Sequence, residues 1–176
     1  MKFIKIIAGL AVFAGVVFAG IGVTRSYFPL KYESTIEACA REYSMEEELL
    51  QGVIFAESRF LEDAHSGKAA GLMQITEDTA KWICRELDME YSEDMLYAPE
   101  TNIKMGSFYL AYLAEQYKNM DTALAAYNAG MGNVAKWLKD ERYSSDSITL
   151  SDIPFGETKR YVQRVNRLKK LYEIIY

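Results

Sequence analysis

After Pro29 the apolar positions of this chain recur at three- and four-residue spacing almost to its last residue, the period of helices with one buried face. The pattern predicts a short amphipathic helix over 33–43. Ser44 followed by Glu47 reads as a capping box, so a second helix is expected from Met45, burying Leu49, Leu50, Val53, Ile54 and Phe60. Residues 61–75, rich in Gly, Ala and Ser, read as loop. Thr76 suits the cap of a helix over 77–88, and Pro99 the first residue of a long one reaching about Tyr117. Asp121 is the expected cap of a further helix, which Gly130 ends as a C′ glycine. A short helix over 133–139, a polar stretch over 140–153 and an amphipathic helix over 157–174 complete the pattern. The last helix carries Tyr161, Val165, Leu168 and Tyr172 on one side. There is no repeat, no heptad and no clear strand, with a short hairpin in 61–75 or 141–153 left open. The expected class is mostly α, with one domain over 33–176.

The first 25 residues follow a different rule. Lys2 and Lys5 precede the uncharged run Ile6 to Val23, and Arg25 closes it. That run is close to the roughly 20 apolar residues that span a bilayer and longer than a usual signal-peptide core. Small residues around Val17-Phe18-Ala19 also offer a cleavage site. Three readings stay open: an uncleaved signal-anchor helix, a cleaved signal peptide, and a buried soluble helix. In the first, Lys2 and Lys5 hold the N-terminus inside, giving one membrane span with the domain outside the cytoplasm. The second secretes the domain. Residues 26–32, with Pro29, read as a brief linker.

Composition narrows the partners. Half of the residues are hydrophobic and 13% aromatic, a globular balance. The formal net charge is −5, and setting aside Lys2, Lys5 and Arg25 makes the remainder more acidic still. Nucleic acid, which selects basic surfaces, is not an expected partner. Cys39 and Cys84 either pair or stay as two buried thiols; sequence alone leaves both open. With one histidine, His65, expected solvated in its loop, no zinc-type cluster can be assembled, and no metal or cofactor is expected.

The polar residue that breaks the pattern is Glu57. At helical spacing it shares a face with Val53, Ile54, Phe60 and Leu61. A carboxyl among apolar side chains has a raised pKa, and one still protonated near neutrality serves as a general acid, as glycoside cleavage requires. The rival is a structural carboxyl neutralised by an arginine or a backbone amide.

Five stretches in order bear on that choice: "ESRF" (57–60), "AHSGKAAGLMQIT" (64–76), "NIKMGSFYLAYL" (102–113), "ALAAYNAGMGNV" (123–134) and "ETKRYVQRV" (157–165). From first to last they span about 110 residues, and in them the chain resembles the soluble lytic transglycosylase (SLT) domain, the goose-lysozyme-like family that cleaves peptidoglycan. The resemblance implies a lysozyme-like helical fold acting on peptidoglycan glycan strands without a cofactor. It makes Glu57 the catalytic acid and Ser66 a cleft serine near the reacting sugar. Gln74 becomes a glycan contact with Met73 beside it, Tyr127 and Asn128 line the cleft, and the Tyr161 hydroxyl approaches the catalytic carboxyl. Rival roles are core packing for Met73, Tyr127 and Tyr161, and helix capping for Asn128. The chain departs from the family pattern at Glu77-Asp78 and at Met131, where proline is usual. Both departures bear on substrate preference more than on the reaction.

The reaction implied is cleavage of the bond between N-acetylmuramic acid and N-acetylglucosamine, with the sugar's own C6 hydroxyl closing a 1,6-anhydro ring. Its competitors are a hydrolytic lysozyme, with Glu62 or Asp63 positioning water, and an inactive membrane-tethered glycan-binding scaffold.

Overall fold

The computed structural model describes residue 20 and residues 22–176, so the apolar run 6–23 lies almost wholly outside the described residues. No described helix is long and apolar enough to cross a membrane. In chain order come α1 (Glu33–Tyr43), α2 (Glu47–Ser58), β1 (His65–Ser66), β2 (Ala69–Ala70) and β3 (Ile75–Thr76). These are followed by α3 (Glu77–Glu86), a 3-10 turn (Glu93–Leu96), α4 (Pro99–Tyr117), α5 (Met120–Ala129), α6 (Met131–Trp137) and α7 (Gly156–Ile175).

The helical period is realised because each helix has a face to bury. Leu50, Val53 and Ile54 of α2, Leu110 and Leu113 of α4, Leu124 of α5 and Val165 of α7 have no exposed surface. The most extensive helix pair is α2 on α7. Gly52 permits it: a Cβ there would stand 3.1 Å from the Lys169 nitrogen and 3.2 Å from the Val165 carbonyl oxygen. The two backbones therefore approach closely one turn and a half before Glu57. That seam fixes what α7 presents to the glutamate.

Helix ends follow local chemistry, with two corrections. Thr76 caps α3, its hydroxyl accepting the Thr79 N–H at 3.2 Å, and Pro99 opens α4 as expected. Ser44 does not cap α2. It takes a left-handed conformation (φ 53°) and ends α1, with the Met45 N–H bonded to the Ala40 carbonyl at 2.8 Å. The return of that N–H to α1 is a C-terminal closure that competes directly with the capping box. Asn119, not Asp121, caps α5, accepting the Thr122 N–H at 2.9 Å. Asp121 lies in the first turn, where an acid suits the helix dipole, and accepts a hydrogen bond from Asn166.

Of the two places left open for a hairpin, the first contains strands. β1, β2 and β3 form an antiparallel sheet in that order, pairing His65 with Ala70 and Ala70 with Ile75. The stretch 141–153 is turns, closed by the Ser151 N–H on the Tyr143 carbonyl at 2.8 Å. Cys39 and Cys84 are buried and unpaired.

The expected linker 26–32 is docked over its second half. The Phe28 ring lies 4.9 Å from that of Phe55, and the Tyr172 hydroxyl donates to the Pro29 carbonyl at 3.2 Å. The Tyr176 hydroxyl donates to the Phe28 carbonyl at 2.8 Å. Aromatic side chains ahead of α1 thus close the end of the α2–α7 seam rather than forming a loose tether.

Candidate active site

Glu57 occupies the last turn of α2, and the chain turns away at once. The Ser58 hydroxyl donates to the Ile54 carbonyl and accepts the Phe60 N–H, both at 3.1 Å. Arg59 (φ 53°) and Phe60 (φ 61°) are both left-handed. Two such residues in succession stop the helix, so Phe60 and Leu61 do not extend the Glu57 stripe. Phe60 still reaches the core, whereas Leu61 is 58% exposed. Glu57 is left half-buried at the end of an apolar helix. Burial pushes its carboxyl up to about 7, opposed by the Tyr161 hydroxyl and by the charge of Arg164.

Both opposing groups stand on α7. The Tyr161 hydroxyl is buried without a fully formed hydrogen bond, and Glu57 is the acid that it faces. Burial first, and then the Glu57 charge, push the Tyr161 hydroxyl well up. The Arg164 guanidinium lies 5.9 Å from the centre of the Tyr161 ring.

Tyr127 of α5 forms the opposite wall. Burial and then the Glu57 charge raise its hydroxyl as well, and that hydroxyl donates to the Met73 carbonyl at 2.8 Å. Met73, expected at the substrate, has a wholly buried side chain packed on Gly106. What it offers the site is its backbone. Gln74 is left-handed (φ 48°), and its amide nitrogen donates to the Ala64 and Gly71 carbonyls at 3.0 and 2.9 Å. Those two bonds hold the β2–β3 turn, leaving the amide oxygen for other partners.

Asn102 ties that turn to α4, and sequence reasoning missed it. Fully buried, it accepts the Met73 N–H at 2.7 Å and donates to Leu96 and Ala70 carbonyls at 2.8 and 3.1 Å. It fits only because Gly71 has no side chain; a Cβ there would stand 2.4 Å from the Asn102 amide nitrogen. The available signal was a polar residue on the buried face of α4, three positions after Pro99.

The exposed Asn128 stands at a cleft between the end of α5 and the start of α7. This cleft, of about 360 Å³, includes Glu157, Arg160, Tyr161, Arg164 and Arg167. Past Tyr127, whose ring lies 5.5 Å from that of Tyr109, a cleft of about 290 Å³ is lined by Trp82, Tyr109, Tyr112, Thr79, Asp78 and Met131. Neither the aromatic wall nor the arginines were singled out from sequence. Asp78 and Met131, both from places where the chain departs from the family pattern, meet in this second cleft.

Ser66 is not brought to Glu57 by any interaction among the described residues; it lies exposed on β1 opposite Ala69. His65 is exposed beside it. Glu62 is exposed and accepts a hydrogen bond from the Tyr32 hydroxyl, and Asp63 is exposed next to it. Tyr161, Tyr127 and Glu57 are thus gathered, with Gln74, Met73 and Asn102 forming the floor behind Tyr127.

Comparison with known proteins places this geometry. A soluble lytic murein transglycosylase of Salmonella typhimurium is 34% identical over 143 residues, covering 78% of this chain and 22% of the relative. A membrane-bound lytic murein transglycosylase C of Serratia proteamaculans is 29% identical over 166 residues, covering 81% of this chain and 46% of the relative. Among solved structures, an inactive glutamate-to-glutamine mutant of the lytic transglycosylase Slt from Pseudomonas aeruginosa superposes with a TM-score of 0.73. It is 34% identical, over 84% of this chain and 24% of that one. The chain thus spans about a fifth to a half of the length of these relatives. The family model for the transglycosylase SLT domain matches residues 34–149, a range that holds Glu57, the hairpin and Tyr127, and the chain belongs to that family.

Proposed function

We propose that this domain is a peptidoglycan lytic transglycosylase, cleaving the β-1,4 bond between N-acetylmuramic acid and N-acetylglucosamine with Glu57 as general acid and then base. The observation that carries the reading is a half-buried carboxyl with a pKa near 7, facing a buried tyrosine hydroxyl and an arginine that both line a cleft. The relatives named as lytic murein transglycosylases, and the structure of a Glu-to-Gln mutant described as inactive, support it.

In this reaction the protonated Glu57 gives its proton to the bridging oxygen as the C1–O bond breaks. The proton leaves on the N-acetylglucosamine hydroxyl, and the muramoyl N-acetyl group steadies the oxocarbenium-like centre. Glu57, now anionic, takes the C6 hydroxyl proton as that oxygen bonds to C1, which restores the acid and consumes no water. Tyr161 and Arg164 favour the anionic half of the cycle, and burial favours the acid half. Their balance near pH 7 lets one carboxyl serve both steps. Gln74, Asn128 and Ser66 are assigned to the glycan, and Met73 reaches it only through backbone.

The same reading assigns residues 1–25 to an uncleaved anchor or cleaved signal that delivers the domain beyond the cytoplasm. The lysines flanking the apolar run support it, as does the membrane-bound relative. Recovery in the membrane fraction with an intact N-terminus selects the anchor; a soluble form starting near Gly20 selects cleavage.

Mass spectrometry of products from purified glycan strands tests the chemistry. Ends one water lighter than reducing sugars are expected. Reducing ends alone mean a hydrolytic lysozyme, and no turnover means a binding scaffold.

A further inference from the structure

α7 carries three arginines, Arg160, Arg164 and Arg167, at spacings of four and three, so they lie along one face beside Tyr161. All three line the 360 Å³ cleft that also contains Tyr161, the residue facing Glu57. None of them takes part in an ion pair among the described residues. Two lysines of the same helix are paired, Lys159 with Asp152 and Lys169 with Glu46 and Glu173, while Lys170 has no ion pair among the described residues. Glu157 lines the cleft too, and no ion pair joins it to the arginines. In a chain of net charge −5, three guanidinium groups against the single carboxylate of Glu157 leave this cleft a local positive field.

All three side chains are exposed and lie against their own helix. Arg160 folds back over the start of α7, one of its nitrogens 3.3 Å from where a Gly156 Cβ would stand. Arg164 lies over the Tyr161 ring, and the Arg167 Nε donates to the Gln163 carbonyl at 3.2 Å. Planar guanidinium forks with free donors suit carboxylates, which they can bind through two parallel hydrogen bonds.

We infer that Arg160, Arg164 and Arg167 form a subsite for carboxylates borne on the glycan strand, those of the peptide stem attached to the muramoyl sugar, and so determine which strands are cleaved. The inference rests on the lytic transglycosylase reading, which puts a muramoyl residue at Glu57. It selects carboxylate over a phosphate ester at the same sugar's O6, because that ester would block the hydroxyl that must attack C1. Stem carboxylates leave C6 free.

The test uses Arg160→Gln/Arg167→Gln, which spares Arg164 because its charge acts on Glu57. Product formation is measured on stem-bearing strands, on strands stripped of stems by an amidase, and on strands whose stem carboxylates are amidated. Circular dichroism checks the fold. On stem-bearing strands the variant is expected to lose about 5- to 20-fold in kcat/KM, mostly through KM, as for one or two charge-assisted contacts. The wild type should lose a similar factor when the carboxylates are amidated, and the gap between wild type and variant should narrow on stripped or amidated strands. Loss of the same factor on all three substrates, or on none, overturns the inference while leaving the reaction intact. A wild type that makes no anhydro ends from any strand overturns the proposed reaction itself, and the inference with it.

Discussion

Two walls of different chemistry stand near Glu57: α7, presenting Arg160, Arg164 and Arg167 around Tyr161, and, beyond Tyr127, α3 and α4, presenting Trp82, Tyr109 and Tyr112. The aromatic side is a chain of rings: Trp82 to Tyr112 at 4.8 Å, Trp82 to Tyr109 at 5.9 Å, and Tyr109 to Tyr127 at 5.5 Å. The α7 side is ionic and reaches Glu57 electrostatically, whereas the aromatic side reaches it through Tyr127, which is locked to the hairpin by its bond to Met73. Sugars stack on rings by dispersion and leave a carboxyl's proton where it is. Guanidinium groups bind anions and shift that proton. The two walls therefore act on different kinetic quantities, and substitutions can separate them.

Glu57→Gln, which removes the group shared by both walls, has the largest expected effect. Turnover should fall by at least about 10²-fold on every strand type, because the amide cannot donate the proton. Near-wild-type lysis would remove Glu57 from the chemistry. The same variant reads the energetics of burial. The Glu57 carboxyl is raised from an ordinary 4.5 to about 7, so the native state holds its proton more tightly than the unfolded chain does. Its contribution to stability is full below about pH 4.5 and is lost as pH rises through about 7. Denaturant titrations at pH 5 and pH 8 should therefore show the wild type losing up to about 3 kcal/mol relative to Glu57→Gln. Parallel stability curves would mean that the carboxyl is already solvated.

Trp82→Ala tests the aromatic wall next. Losing the ring that packs on Tyr109 and Tyr112 should raise KM by about 10-fold, the equivalent of roughly 1.4 kcal/mol of stacking. The pH profile should stay where it is, since no charge near Glu57 changes. A moved profile would mean that the two walls are coupled through Tyr127.

Tyr161→Phe should show the converse and smaller behaviour. A fall of about 5-fold is expected in kcat with little change in KM, in keeping with a contact of about 1 kcal/mol that closes into a hydrogen bond only as Glu57 becomes anionic. The Tyr161 hydroxyl lowers the Glu57 pKa, so removing it lets that pKa rise. The alkaline fall in activity, where the acid loses its proton, should accordingly move to higher pH. An unchanged profile with unchanged turnover would return Tyr161 to the core.

What the sequence determined by itself is what local chemistry controls. Helix positions followed from the apolar period, and the ends of α3 and α4 from Thr76 and Pro99, because those residues act on backbone groups within one turn. The anomaly of Glu57 was equally legible, as a carboxyl inside an apolar stripe. Tertiary structure decided whatever depended on competition or on distance. Ser44 could cap forwards or close backwards, and the Met45 N–H reaching Ala40 settled it. Met73 looked like a site residue from its neighbours in sequence, yet Gly106, thirty-three positions on, takes its side chain into the core. Asn102 carried no motif meaning until the hairpin folded onto it. The arginines of α7 carried no meaning in the sequence until α2 packed against α7 at Gly52, where the charge of Arg164 acts on Glu57. Periodicity reports that a residue is on a face; only packing reports what that face meets.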